Sequence, residues 1–252
     1  MIVYTCTDDF ESMMTCIYEA WASKEGHKNI KLLLEPIGNL ELFCEYRHVE
    51  PDSQKAQKVV HSIRQKISAR AYQMIFRCAM STHPDKLDMI YRFLLLGFAY
   101  PKDIMHMLQH PYVMAVFEQN RAVINETHQY REFARFQAAP GGILVAAIEP
   151  NADILTLLSP AFEDRLPSEN WMILDANRHT AAVHPADELT YFTSLSAREQ
   201  TELLEAAKSA DPYRELWKGF FQQISIEQRT NPACQRTHLP LHYRKYMPEF
   251  SD

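Results

Sequence analysis

The forty residues from Asp211 to Phe250 constrain this chain more than any other stretch. Asp211 can cap a helix and Pro212 suits a first helical position. Leu216, Trp217, Phe220, Phe221 and Ile224 then recur on one face, and a stripe of that size is expected to be buried. Asn231-Pro232 ends the helix. The residues around and beyond this break have neither a loop composition nor a regular period. Arg229, Asn231, Gln235, Arg236, His238, His242, Tyr243, Arg244, Tyr246 and Glu249 crowd together, with Pro240 and Pro248 limiting the chain's course. So many donors beside an aromatic helix predict a polar surface held in fixed shape.

The rest of the chain must supply the body on which such a segment rests. A length of 252 residues allows one large domain or two small ones. Only 6 glycines occur, which argues against glycine-rich phosphate loops. The formal net charge is −6, so any contact with nucleic acid requires a local basic patch. Cys6, Cys16, Cys44, Cys78 and Cys234 are odd in number, scattered, and without a C-x-x-C, so reduced thiols are expected rather than a disulfide framework or a cysteine-built metal centre. The start, MIVYTCTDDFESM, lacks the basic and apolar regions of a signal peptide, and no apolar run approaches a membrane span. These features predict a cytoplasmic protein without a membrane association.

The predicted fold class is α+β, mostly helical, with a small antiparallel sheet in the second half. Ile2–Thr5 reads as a strand, and Asp8 with Glu11 as a capping box for a helix carrying Phe10, Met13, Met14 and Ile17. Leu32–Leu34 and Leu40–Phe43 suggest a hairpin around Gly38-Asn39. Asp52 to Met80 reads as one long helix, with further helices up to His128. Then the pattern changes to strand, strand, helix, strand, strand. The units are Phe133–Gln137, Ile143–Ile148 after Pro140-Gly141-Gly142, Ile154–Arg165, Trp171–Leu174 and Thr180–Val183. Ser196 with Glu199 caps another helix. A division into residues 1–128 and 129–252 is expected, although the two could share one core.

Three groups of residues could carry chemistry. Between Ser53 and Pro84 there is no acid, and on one long helix Lys55, Lys66, Arg70 and Arg77 would share a flank, either to meet phosphates or simply to be solvated. From Arg214 to Tyr246 there is a surplus of four cations interleaved with Tyr243 and Tyr246. Arginines and aromatic rings hold single-stranded or flipped bases, but the same arginines could pair with carboxylates at the edge of the core. Asp164, Asp175 and Glu249 could act as acid or base, while an Asp at the position of Asp175 commonly caps a turn. No H-E-x-x-H, G-x-S-x-G, P-loop or dinucleotide motif occurs. No metal or cofactor is expected, and no catalytic residue can be named.

Four stretches resemble a known family: DDFESMMTCIYEAW, ETHQYREFARFQ, IEPNADILTLLSPAFEDRLPSENWMILDANR and, above all, SIEQRTNPACQRTHLPLHYRKYMPE. Arg229, Asn231-Pro232, Gln235, Pro240 and Tyr243 are similar to the family's pattern in the last of these. Phe133, Arg135, Phe136, Phe162, Arg165, Trp171 and Asp175 match it in the middle. The family is a bacterial one of DNA-metabolism proteins, connected with DNA repair and of unknown activity, encoded beside a radical-SAM protein. Its longer members are joined to a uracil-DNA-glycosylase domain. Cys6-Thr7-Asp8 departs from the family's usual Tyr-Asp-Gly-like turn, and the sequence up to Asp252 carries no glycosylase domain. The resemblance implies a DNA-related role with a radical-SAM partner, and no C-x-x-x-C-x-x-C marks this chain as that enzyme. Candidate nucleic-acid contacts are then Arg229, Asn231, Gln235, Arg236, Tyr243, Arg244, Arg135, Arg165, Lys66, Arg70 and Arg77. An enzyme acting on a nucleotide or base, and a module that only docks a protein, are the alternatives.

Overall fold

A computed structural model describes residues 1–210 and 213–250. Asp211 and Pro212, expected to open the aromatic helix, lie outside the described residues. The chain divides into two units, Met1–Ile124 and Asn125–Asp252. The fold is α+β. Among the described residues no helix is long and apolar enough to cross a membrane.

The first unit is built on strand β1 (Ile2–Cys6), flanked by β2 (Ile30–Leu34) and β3 (Glu45–His48), both parallel to it. The expected hairpin at Gly38-Asn39 is therefore absent. Leu40, Leu42 and Phe43 are exposed and form no strand, and β1 lies between β2 and β3. Parallel strands need long crossovers rather than tight turns, and helix α1 (Phe10–Ala22) is the crossover from β1 to β2. Its N-cap is Asp9, which accepts from the Ser12 amide at 2.8 Å. Asp8, the expected cap, instead pairs with the buried Lys86 ammonium at 2.6 Å.

The expected single helix over 52–80 is two. Helix α2 (Ser53–Lys66) ends at Ile67, and α3 (Ala69–Met80) starts from Ser68. The Ser68 hydroxyl accepts from the Ala71 amide at 3.0 Å, a new N-cap inside an unbroken apolar period. Helices α4 (Lys86–Ala99) and α5 (Pro111–Phe133) come next, the unit boundary falling inside α5. Met13, Ile17, Ile63, Ile75, Leu87 and Phe93 lie in the shared core.

The second unit holds a five-stranded sheet in the order β4 (Phe136–Ala139), β5 (Ile143–Ile148), β6 (Trp171–Asp175), β7 (Thr180–His184), β8 (Tyr191–Ser194). The sheet is mixed rather than antiparallel. Helix α6 (Leu155–Arg165) carries the chain back to the same end, so β6 runs parallel to β5. Gly141 and Gly142 turn the β4–β5 hairpin with φ of 83° and 79°, values that suit glycine. Side chains alternate along β6. Trp171 faces α6, its ring 6.4 Å from that of Phe162, while Leu174 faces helix α7 (Ala197–Ala210) in a cluster with Ala207. The capping box of α7 is present: the Ser196 amide donates to Glu199 at 2.8 Å and the Glu199 amide to Ser196 at 3.2 Å.

Candidate functional site

Helix α8 (Arg214–Ile224) and the short α9 (Pro232–His238) lead to 3-10 turns over 241–246 and 248–250. The apolar face of α8 is not buried as expected. Leu216 is 69%, Trp217 40%, Phe220 54% and Ile224 57% exposed. The helix meets the last turn of the chain, where the ring of Phe221 lies 5.6 Å from that of Phe250. That contact engages one edge of the stripe and leaves the rest to solvent.

The end of the segment is tied down by side chains. Arg135, just before β4, donates from Nε at 3.0 Å and Nη2 at 2.9 Å to one oxygen of Glu249. The other Glu249 oxygen accepts from the Trp217 indole at 3.1 Å, and the carboxylate side chain is 2% exposed. Tyr243 is buried. Its hydroxyl donates to Gln129, and its ring lies 4.8 Å from that of Tyr130 and 5.2 Å from that of Phe133. Burial pushes the Tyr243 phenol up to about 12.

Tyr246 donates to Glu149 at 2.7 Å, and Lys245 pairs with the same oxygen. Burial alone would push the Glu149 carboxyl up, but these two donors outweigh it and hold it below the usual glutamate range. Arg244 donates to the Leu239 carbonyl at 3.0 Å, and its guanidinium lies over the Phe250 ring at 4.6 Å.

The remaining tail candidates stand apart from this lock. Asn231 caps α9, accepting from the Cys234 amide at 3.0 Å. Gln235 and Arg236 are exposed on α9, the Arg236 Nε donating to the Pro232 carbonyl at 3.2 Å. Arg229 is exposed, with no ion-pair partner among the described residues. Of Arg229, Gln235, Arg236 and Tyr243, only Tyr243 joins the lock among the described contacts, packing on Phe133. Arg165 is exposed at the end of α6, over the Phe162 ring at 5.2 Å.

The basic flank of the first unit is split by the break at Ile67-Ser68. Lys66 belongs to α2, whereas Arg70 and Arg77 belong to α3. None of the three has an ion pair among the described residues. Lys55 pairs with Glu19 at 2.6 Å.

The carboxylates proposed as acid or base share no partner. Asp164 is exposed. Asp175 is fully buried and closes the β6–β7 turn, accepting from the amides of Asn177 at 3.0 Å and Arg178 at 3.2 Å and from the Arg178 guanidinium at 2.9 Å. Burial raises its carboxyl against the pull of Arg178. The turn-capping reading of Asp175 matches this geometry. Arg178 and Asn177 also bind the Pro150 carbonyl. Beside them Glu126 accepts from Asn151 and Ala152 amides at 2.8 and 2.9 Å. Sequence reasoning passed over Glu126, Gln129, Glu149 and Asn151, although all four lie in the stretches ETHQYREFARFQ and IEPNADIL that carry the resemblance.

Among the described residues no three His, Cys, Asp or Glu side chains cluster to hold a metal. No curated protein matches the chain. A domain of unknown function, DUF4130, matches residues 84–249, a span that includes the mixed sheet and the tail contacts of Tyr243, Lys245, Tyr246 and Glu249. That span exceeds half of the sequence, and the chain belongs to the DUF4130 family.

Proposed function

We propose that the chain is an accessory protein of DNA metabolism or repair, which holds single-stranded or damaged DNA for a radical-SAM partner. The observation that carries this reading is the solvent exposure of Trp217 and Phe220 on a segment that also presents Arg229 and Arg236. Aromatic faces stack on bases of any sequence, and arginines neutralise phosphates. An acidic chain with a local cationic and aromatic surface suits selective rather than indiscriminate contact with DNA. The sequence resemblance supplies the connection to repair and to the radical-SAM protein.

The test is fluorescence anisotropy of a labelled short single strand across a salt series. Binding that weakens with salt is expected, and Arg229→Ala with Arg236→Ala should flatten the slope by roughly 0.7 per arginine. No binding at low salt, with or without the radical-SAM protein, sinks the reading.

A second reading is that the segment docks the partner protein alone. Leu216 and Ile224, also exposed on α8, favour it because aliphatic side chains do not stack on bases. Under this reading Leu216→Asp abolishes co-purification with the radical-SAM protein from nuclease-treated lysate, and oligonucleotides do not bind.

A further inference from the structure

A cavity of about 550 Å³ opens in the first unit between α1, α2 and the end of α4. Its size falls in the range of small-molecule sites, roughly 300–1,000 Å³. Tyr18, Trp21 and Phe98 contribute aromatic walls, the Trp21 and Phe98 rings meeting edge-on at 5.2 Å. Helix α2 contributes Lys58, Ser62 and Lys66. These are spaced four residues apart, so all three side chains line one face of the helix.

The polar side of the cavity carries one sign of charge. Lys58 lies over the Tyr18 ring at 5.8 Å, and neither it nor Lys66 has an ion pair among the described residues. Glu19, one residue along from Tyr18 on α1, is taken by Lys55 at 2.6 Å. No carboxylate lines the cavity. Two ammonium groups and a hydroxyl beside apolar walls focus a positive potential into the cleft.

We propose that this cavity binds a small planar aromatic anion. Its ring would sit among Tyr18, Trp21 and Phe98, and its carboxylate, sulfonate or phosphate would meet Lys58, Ser62 and Lys66. A neutral ring would leave the two ammonium groups unused, and a cation would be repelled by them. The DNA reading proposed above rests on Trp217, Phe220, Arg229 and Arg236 of the second unit, so this site stands or falls separately, with Lys66 taken here as a cavity residue rather than a phosphate contact.

The test is fluorine NMR of the whole chain labelled with fluorotryptophan, which gives separate signals for Trp21, Trp171 and Trp217, assigned by single Trp→Phe variants. Naphthalenesulfonate should shift the Trp21 signal saturably, and uncharged naphthalenemethanol should bind about tenfold more weakly. Lys58→Glu with Lys66→Glu should weaken naphthalenesulfonate by about tenfold or more. Should that variant not fold, Ser62→Phe, which fills the cavity without changing its charge, should block the shift. A nucleoside monophosphate and its parent nucleoside form the second arm: preference for the monophosphate assigns the ligand to nucleotides, and binding of naphthalenesulfonate alone assigns it to other aromatic acids. The proposal is overturned if Trp21 does not respond up to about 10 mM, if charged and uncharged ligands bind equally, or if the Trp217 signal moves instead.

Discussion

Arg135 and Glu249 meet across 114 residues of chain, two guanidinium nitrogens converging on one oxygen of a carboxylate almost without solvent. The pair fixes the last turn of the chain beside the first strand of the mixed sheet. Removing Arg135 leaves the Glu249 carboxylate, 2% exposed, holding the Trp217 indole but no cation, and a hydrogen-bonded charge of this kind is worth roughly 1.5–3 kcal/mol. Arg135→Ala should lower stability by about that amount in urea unfolding. It should also expose the 241–250 segment to limited proteolysis before the sheet unfolds. Equal protection of that segment in both proteins would count against the lock.

The tryptophans offer a contrast of burial at constant chemistry. Trp171 is 1% exposed and packs against Phe136, Phe162 and His184, so Trp171→Ala should cost about 3–5 kcal/mol. Trp217 leaves much of its ring in water and keeps one hydrogen bond, so Trp217→Ala should cost less than about 2 kcal/mol. Denaturant midpoints of the two variants decide the matter, and a larger loss for Trp217→Ala would show that α8 is covered in solution.

Glu149 makes stability depend on pH in a defined direction. Its carboxyl is held below the ordinary value of 4.5, so the unfolded chain binds that proton more tightly than the folded one. The stabilisation is therefore full above 4.5 and lost as pH falls through the lower, folded value. Glu149→Gln should be less stable than the parent at neutral pH. The difference between them should shrink as the solution is acidified through this window. A difference that stays constant in acid would mean that Lys245 and Tyr246 do not stabilise the charged form.

Local signals in the chain were legible and distant pairings were not. The Ser196–Glu199 cap and the Gly141-Gly142 hairpin announce themselves because their partners lie within a few residues. Ser68 was missed because one hydroxyl starts a new helix without disturbing the apolar spacing on either side. The parallel β2–β1–β3 sheet left no turn motif to find, since its strands are joined through helices and loops. An apolar stripe such as Leu216, Trp217, Phe220 and Ile224 says that a face is sticky, not what covers it. The partners of Tyr243, Tyr246 and Glu249 lie some hundred residues upstream. Only folding could match Gln129, Glu149 and Arg135 to them.

Helices α8 and α9 stand between α7, packed on the sheet, and the fixed contacts of Tyr243, Tyr246 and Glu249. As a polymer this stretch is a closed loop rather than a free end. Closing a loop costs an entropy that rises only slowly with its length, roughly 0.6 kcal/mol for each doubling. Residues inserted between α8 and α9 would thus weigh little on the fold. Whatever binds there is kept at a bounded distance from the sheet, at an effective concentration set by the loop and not by the solution.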